Sequence, residues 1–209
     1  MSKLLAFFAA LLFAGSAAAQ QQLGPDQLVQ KITDEVLAAI KSDKQLAAGD
    51  KQKALKLAEE KVLPYIDFEE ATRLAVGRNW SQANDAQKQA LIKEFRTLLV
   101  RTYSSSLSAY RNQTIDVKPS RVTAQDKDTV VKTAIIQQGG PPISIDYSME
   151  KMDGGWKVYD VVIEGASLVT TYRGTFNDQV QRGGIDGLIK TLQERNNRAP
   201  EPPKVPAKK

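Results

Sequence analysis

Cysteine and histidine are both absent from the 209 residues. Without cysteine there is no disulfide framework, so the folded state must rest on its hydrophobic core. Without histidine a Ser-His-Asp triad, a His-ligated zinc and a histidine general base are excluded. The Gly-x-x-x-x-Gly-Lys-Ser/Thr pattern of a phosphate-binding loop is missing too, which removes the commonest route to nucleotide hydrolysis. Long apolar runs are missing with one exception, Leu4 to Phe13. That run follows the basic Lys3 and precedes Ala17-Ala18-Ala19, a small-residue cleavage site before Gln20. It is too short to span a bilayer, and residues 1–19 read as a secretory signal peptide. No cysteine follows the run, so no N-terminal lipid anchor is expected. The net charge of +5 becomes +4 once Lys3 leaves with the leader (5 − 1). That mild excess suits an anionic lipid surface or an acidic partner, and equally suits solubility.

Helical spacing dominates the first half. Pro25-Asp26 opens a helix with Leu28, Ile32, Val36 and Ile40 spaced by four, and Gly49 ends it. A second helix runs from Lys51 to Leu63, with Leu55, Ala58 and Val62 inward, and Pro64 stops it. Asp67 and Glu70 form a capping box for a short helix ending at Gly77. The loop Arg78-Asn-Trp80-Ser follows, then the longest helix, from Asn84 or Asp85 to about Tyr110. Its stripe contains Leu91, Phe95, Leu98, Leu99, Tyr103, Leu107 and Tyr110. Ser104-Ser105-Ser106 lies within it and admits two readings: close approach of a neighbouring backbone, or the wall of a cavity.

The period then changes to two. Thr114–Lys118, Thr129–Gln137 and Ile143–Lys151 read as strands, and Arg121–Ala124 as a short continuation of the first. In the third, Ile143, Ile145, Tyr147 and Met149 share one face. Asp153-Gly-Gly155 makes a hairpin turn into a strand from Trp156 to Ile163, and Glu164-Gly165 ends that. Leu168, Tyr172 and Phe176, flanked by Val169, begin a closing helix. Gly183-Gly184 breaks it, and Ile185 to Leu192 make a last helical stretch. Residues 199–209 are rich in proline and lysine and read as a disordered tail. Helices, then an antiparallel meander, then helices make an α+β domain over residues 20–198, with helices on one face of a curved sheet.

Catalytic constellations are sparse. Asp160 and Glu164 share a strand and could act as a base beside a tyrosine, which would make an enzyme. They could equally be structural, Glu164 by capping the closing helix or pairing with Arg173. A ligand-free chaperone or scaffold is the remaining class, and it requires a filled core with an exposed apolar groove.

Three blocks carry a resemblance. They are Val161-Val-Ile-Glu-Gly-Ala-Ser-Leu-Val-Thr-Thr-Tyr-Arg-Gly-Thr-Phe176; Gly77-Arg-Asn-Trp80 with Ala86 to Tyr103 and Leu107-Ser-Ala-Tyr110; and Val130 through Asp160. In order and spacing, over roughly residues 25 to 195, the chain resembles the MlaC family, also called toluene-tolerance auxiliary proteins. The resemblance implies helices packed on a highly twisted antiparallel sheet of the NTF2/cystatin type, enclosing a deep apolar pocket. It implies a periplasmic phospholipid carrier, not an enzyme, with lipid as cargo and no cofactor or metal. Its partners would be an outer-membrane MlaA–porin complex and an inner-membrane ABC transporter through MlaD. No nucleic-acid partner is expected, and the protein is expected to be a monomer.

Strand parity and helix stripe then suggest the lipid-binding wall. From the helices come Leu74, Leu99, Tyr103 and Leu107. From the sheet come Ile135, Ile145, Tyr147, Met149, Val158 and Val162, and from the closing helix Leu168, Val169, Tyr172 and Phe176. Glu164 and Arg173, which match family positions, would be a structural pair at the strand–helix corner. Arg78, Trp80 and Arg111 are expected head-group or docking contacts.

Overall fold

The structure is a computed structural model and describes residues 22–107, 113–137 and 139–198, excepting the side chains of 105–107. The leader, the tail, Tyr110, Arg111 and the Leu107 side chain therefore lie outside the described residues.

Six α-helices are present among the described residues: α1 (Pro25–Ser42), α2 (Lys44–Ala47), α3 (Lys51–Lys61), α4 (Phe68–Val76), α5 (Asp85–Leu107) and α6 (Leu168–Asn197); short 3₁₀ helices follow α3 at Leu63–Tyr65 and α4 at Gly77–Gln82, the latter where a loop was expected. The expected helix from Pro25 to Gly49 is cut at Asp43. The Oδ1 of Asp43 accepts the N–H groups of Gln45 (2.9 Å) and Leu46 (3.1 Å), which starts a new helix. In α3 the buried face is Ala54, Leu57 and Ala58, and Leu55, expected inside, is half-exposed. Ala54 has no side-chain bulk to hold the neighbouring helices off, so α3 turns that face inward. The capping box at Asp67 is half made. Asp67 Oδ1 accepts from Glu70 N at 2.8 Å, but the Asp67 N–H goes to the Val158 carbonyl at 2.8 Å. Glu70 is thereby left to hold Arg73. In α6 the expected break is a kink within a continuous helix: Gly184 has φ 66° and ψ −169°, and Ile185, Leu188 and Leu192 are buried beyond it.

The sheet has the expected meander order, β1-β2-β3-β4-β5, with every pair antiparallel. Its strands are β1 (Thr114–Val117), β2 (Asp128–Ile136), β3 (Ile143–Met152), β4 (Gly155–Ile163) and β5 (Ala166–Ser167). Arg121–Ala124 is loop, not strand; Val122 still packs on the sheet. The two-residue β5 was not foreseen. Glu164 (φ 50°) and Gly165 (φ 83°) both take positive φ, as a type I′ hairpin demands, and return the chain to pair Ile163 with Ala166 and Val162 with Ser167.

One irregularity decides which side chains face the helices. Met149 pairs with Val158, but Ser148 pairs with Asp160, so Tyr159 is an extra residue in β4. Tyr147 pairs with Val161. Val158 and Val161 therefore share the face of Tyr147 and Met149. Val162, expected beside Val158 by simple alternation, pairs with Asp146 and lies on the opposite face.

The hydrophobic interior comes in three clusters. The first lies among α4, α5 and α6 and is centred on Phe95, whose ring meets Tyr172 and Phe176 edge-on at 5.1 Å each. The second joins α1 to the sheet through Leu28, Val29, Val131, Met149, Trp156 and Val158. The third packs α1 against α2 and α3 through Val36, Ile40, Leu46, Ala54 and Leu57.

Like charges meet at one end of the sheet. Asp128 and Glu150 are direct cross-strand partners, with Asp67 and Glu70 nearby. Burial first, and then these carboxylates, push the Glu150 pKa up. The native state thus binds this proton more tightly than the unfolded chain, and stability falls as pH rises through that window. Glu150→Gln is expected to stabilise the protein at pH 7 by about 0.2–1 kcal/mol, the usual cost of opposed like charges in a sheet. Thermal unfolding at pH 7 and at pH 3.5 checks this: the gain should be present at the first and absent at the second.

Candidate functional site

A cavity of about 230 Å³ lies where residues of the three clusters come close together. The α3 helix and the turn after it contribute Ala58, Val62 and Leu63, followed by Ile66. The α4 helix contributes Phe68 and Ala71, and α5 contributes Phe95, Leu99, Val100, Tyr103 and Ser104. The β4 strand contributes Val158 to Val161, and the start of α6 contributes Leu168 and Val169. The small side chains of Ala58, Ala71 and Ser104 leave space that larger residues would fill.

Five of the residues suggested from sequence meet here: Leu99, Tyr103, Val158, Leu168 and Val169. The others have different places. Met149, Tyr172 and Phe176 are buried in the clusters behind the cavity wall. Tyr147 is next to Val161 on the sheet face, and Ile145 and Ile135 continue that face, half-buried, toward β1. Leu74 packs on the helical cluster and faces an outer groove. Val162 is turned away by the bulge at Tyr159. Simple alternation missed Val161, and reading α3 as ordinary core missed Ala58 and Val62, although their spacing was visible.

Tyr159 and Asp160 at the wall have hydrogen-bond partners. Burial first, and then the neighbouring Tyr172 hydroxyl, push the Tyr103 pKa up, so it adds no charge to the cavity at neutral pH. The Tyr159 hydroxyl donates to Asp128 Oδ1 at 3.0 Å, and burial together with that carboxylate pushes its pKa up to about 12. Asp160 receives three donors. Its Oδ1 accepts from Val161 N (2.8 Å) and Val169 N (3.1 Å), and its Oδ2 from Ser167 Oγ (2.5 Å). Ser167 caps α6 by accepting from Thr170 N at 3.0 Å. Asp160 thus ties β4 to the N-terminus of α6, where a carboxylate is favoured.

Glu164 and Arg173 anchor different contacts at the strand–helix corner. Glu164 Oε1 accepts from Ser144 N at 2.8 Å, and Arg173 Nε donates to the Leu74 carbonyl at 3.0 Å. Trp80 packs against the helical cluster with the Lys88 ammonium 5.8 Å from its ring. Arg78 reaches Asn177 Oδ1 at 3.4 Å. No helix among the described residues is long and apolar enough to cross a membrane.

Comparison with known proteins supplies the family. The profile described as MlaC protein matches residues 30–194, well over half of the chain. The chain belongs to the MlaC family. Among its relatives, the intermembrane phospholipid transport system binding protein MlaC of Haemophilus influenzae is 25% identical over 176 residues, covering 83% of this chain and 82% of that one. The toluene tolerance protein ttg2D of Pseudomonas putida is 28% identical over 169 residues, covering 80% and 78%. A phospholipid-binding protein of Ralstonia solanacearum, solved in complex with a phospholipid, shares 42% identity and a TM-score of 0.76 over 83% of this chain and 97% of that one. MlaC membership and this structural likeness match the α+β architecture read from the sequence.

Proposed function

We propose that this chain is a periplasmic phospholipid carrier that holds acyl chains in the cavity between α3, α4, α5 and β4. One observation carries the reading: the Ralstonia relative of the same fold was solved with a phospholipid bound. The apolar wall of the cavity supports it. In this reading the protein is exported by its N-terminal leader. It receives or delivers lipid at an outer-membrane MlaA–porin complex and at an inner-membrane ABC transporter through MlaD.

The energetics set what the cavity must do. Two chains of about fifteen methylenes lose on the order of 24 kcal/mol on leaving a bilayer, at about 0.8 kcal/mol per CH₂. The carrier must return most of that as apolar contact, but not so much more that the lipid cannot leave. A cavity of about 230 Å³ is below the usual ~300–1,000 Å³ of a ligand site, so its walls must part to load. The division of the interior favours this. Moving the α4–α5–α6 cluster away from the other two, which Ile32 joins, opens the cavity without separating residues of one cluster.

No catalytic step is assigned. Asp160 holds the start of α6 through three donors, and Glu164 does not line the cavity, so neither stands as a free base within it.

A vesicle assay tests the carrier reading. Purified mature protein should accelerate transfer of a fluorescent phospholipid from donor to acceptor vesicles in proportion to its concentration. No acceleration, together with no phospholipid in an organic extract of the protein, would contradict it.

A further inference from the structure

On the far side of the α4–α6 contact from the cavity lies a second concavity, of about 620 Å³. Three exposed arginines, Arg73, Arg78 and Arg173, line it, together with Asn79, Thr170 and Asn177. No carboxylate is among the described residues that line it. The adjacent Glu70 holds Arg73 from one side. Arg78 and Arg173 have no carboxylate partner among the described residues, and their guanidinium groups donate to neutral oxygens, Asn177 Oδ1 and the Leu74 carbonyl.

The arginines are held in place. The Nε of Arg173 caps a carbonyl in the last turn of α4 while its side chain lies across Gly77. Gly77 has φ 61° and ψ −135°, a conformation that favours glycine, and it turns the chain so that Arg78 follows directly. Asn177 accepts from both Arg78 and Asn79, which joins α6 to this turn. The Nε bond of Arg173 restrains its plane and leaves its terminal amino groups available to other acceptors. Planar forks held this way suit carboxylates, which they can bind through two parallel hydrogen bonds.

We infer that this groove is a docking site for an acidic peptide segment of a partner protein. Its concavity between two helices favours a strand of polypeptide over a flat bilayer surface. At Gly174 there is open space where a side chain would otherwise stand, so a peptide backbone can approach closely. The inference concerns the outer surface and is independent of the cargo held in the cavity.

Binding of a fluorescein-labelled oligoglutamate peptide to the full mature protein, followed by anisotropy at low salt, tests this. Arg78→Glu is expected to weaken binding at least about tenfold, the loss of one or more charge-assisted hydrogen bonds. Lys56→Glu, the same charge change on the exposed face of α3, should leave the affinity within about twofold, as for a remote screened charge. Both variants should unfold at the wild-type temperature. Co-sedimentation with phosphatidylglycerol vesicles should be the same for Arg78→Glu as for wild type. Equal weakening by both variants, or none by Arg78→Glu, would overturn the proposal. So would loss of vesicle binding in Arg78→Glu with peptide binding unchanged, since the groove would then face a membrane.

Discussion

Ser104→Trp should empty the protein of lipid while leaving it folded. Ser104 is a small, half-buried side chain on the α5 wall of the cavity. An indole there occupies space that an acyl chain would need, and it does so without removing any existing packing. Displacing only two methylenes into water costs about 1.6 kcal/mol, slightly more than a factor of ten in affinity. Phospholipid phosphorus per mole of purified protein should therefore fall at least about tenfold, with the unfolding temperature little changed. Leu99→Asp attacks the same wall by placing a charge where a chain should lie, and should lower the ratio as strongly. Unchanged phosphorus in both variants would mean that the cargo lies elsewhere.

Asp160→Ala should produce the largest loss of stability at the site. The carboxylate accepts from Val161 N, Val169 N and Ser167 Oγ, and so fixes the angle at which α6 leaves the sheet. Removing it leaves the Val169 N–H and the Ser167 hydroxyl without that acceptor at a partly buried corner. Hydrogen bonds to a charged group contribute about 1.5–3 kcal/mol each, and the helix dipole somewhat less, so a net cost of about 2–4 kcal/mol is expected. For a domain of this size the unfolding temperature should drop by roughly 5–15 °C. Asp160→Asn keeps an acceptor and should lose about half as much. Lipid carried per folded molecule should be unchanged in both, because the carboxylate is engaged by the three donors through which it positions α6. A large loss of lipid in a fully stable Asp160→Asn would instead give this residue a direct role.

The architecture was legible because its signals are local. Leu28, Ile32, Val36 and Ile40 repeat at helical spacing, Asp153-Gly-Gly155 marks a tight turn, and Ile143 to Met149 alternate cleanly. The cavity was legible only in part, for two physical reasons. The bulge at Tyr159 places one extra residue in β4 and reverses the parity after it. Nothing in Val158-Tyr-Asp-Val161 distinguishes that from unbroken alternation, so Val162 was expected where Val161 stands. The second reason is that a cavity is a shortfall of contact between clusters. Ala58, Val62 and Ala71 look like ordinary core on their own helices; what makes them a wall is the space left between α3, α4 and β4. Ser104 was the exception, since a run of small residues on a long helix already signalled either a close neighbour or a gap. The outer arginine groove was visible only as Arg78 and Arg173 separately, because the fold joins residues nearly a hundred positions apart.

Photo-crosslinking with a phospholipid that carries a diazirine near the end of one acyl chain is the most direct test of where the cargo lies. The mature protein is loaded with the probe, irradiated and digested, and the labelled peptides are sequenced. Labels should fall on the segments Leu99–Ser104 and Val158–Val161, which face the cavity from opposite sides. Labels on Val130 or Ile136, on the exposed face of the sheet, with none on those two segments, would contradict the account.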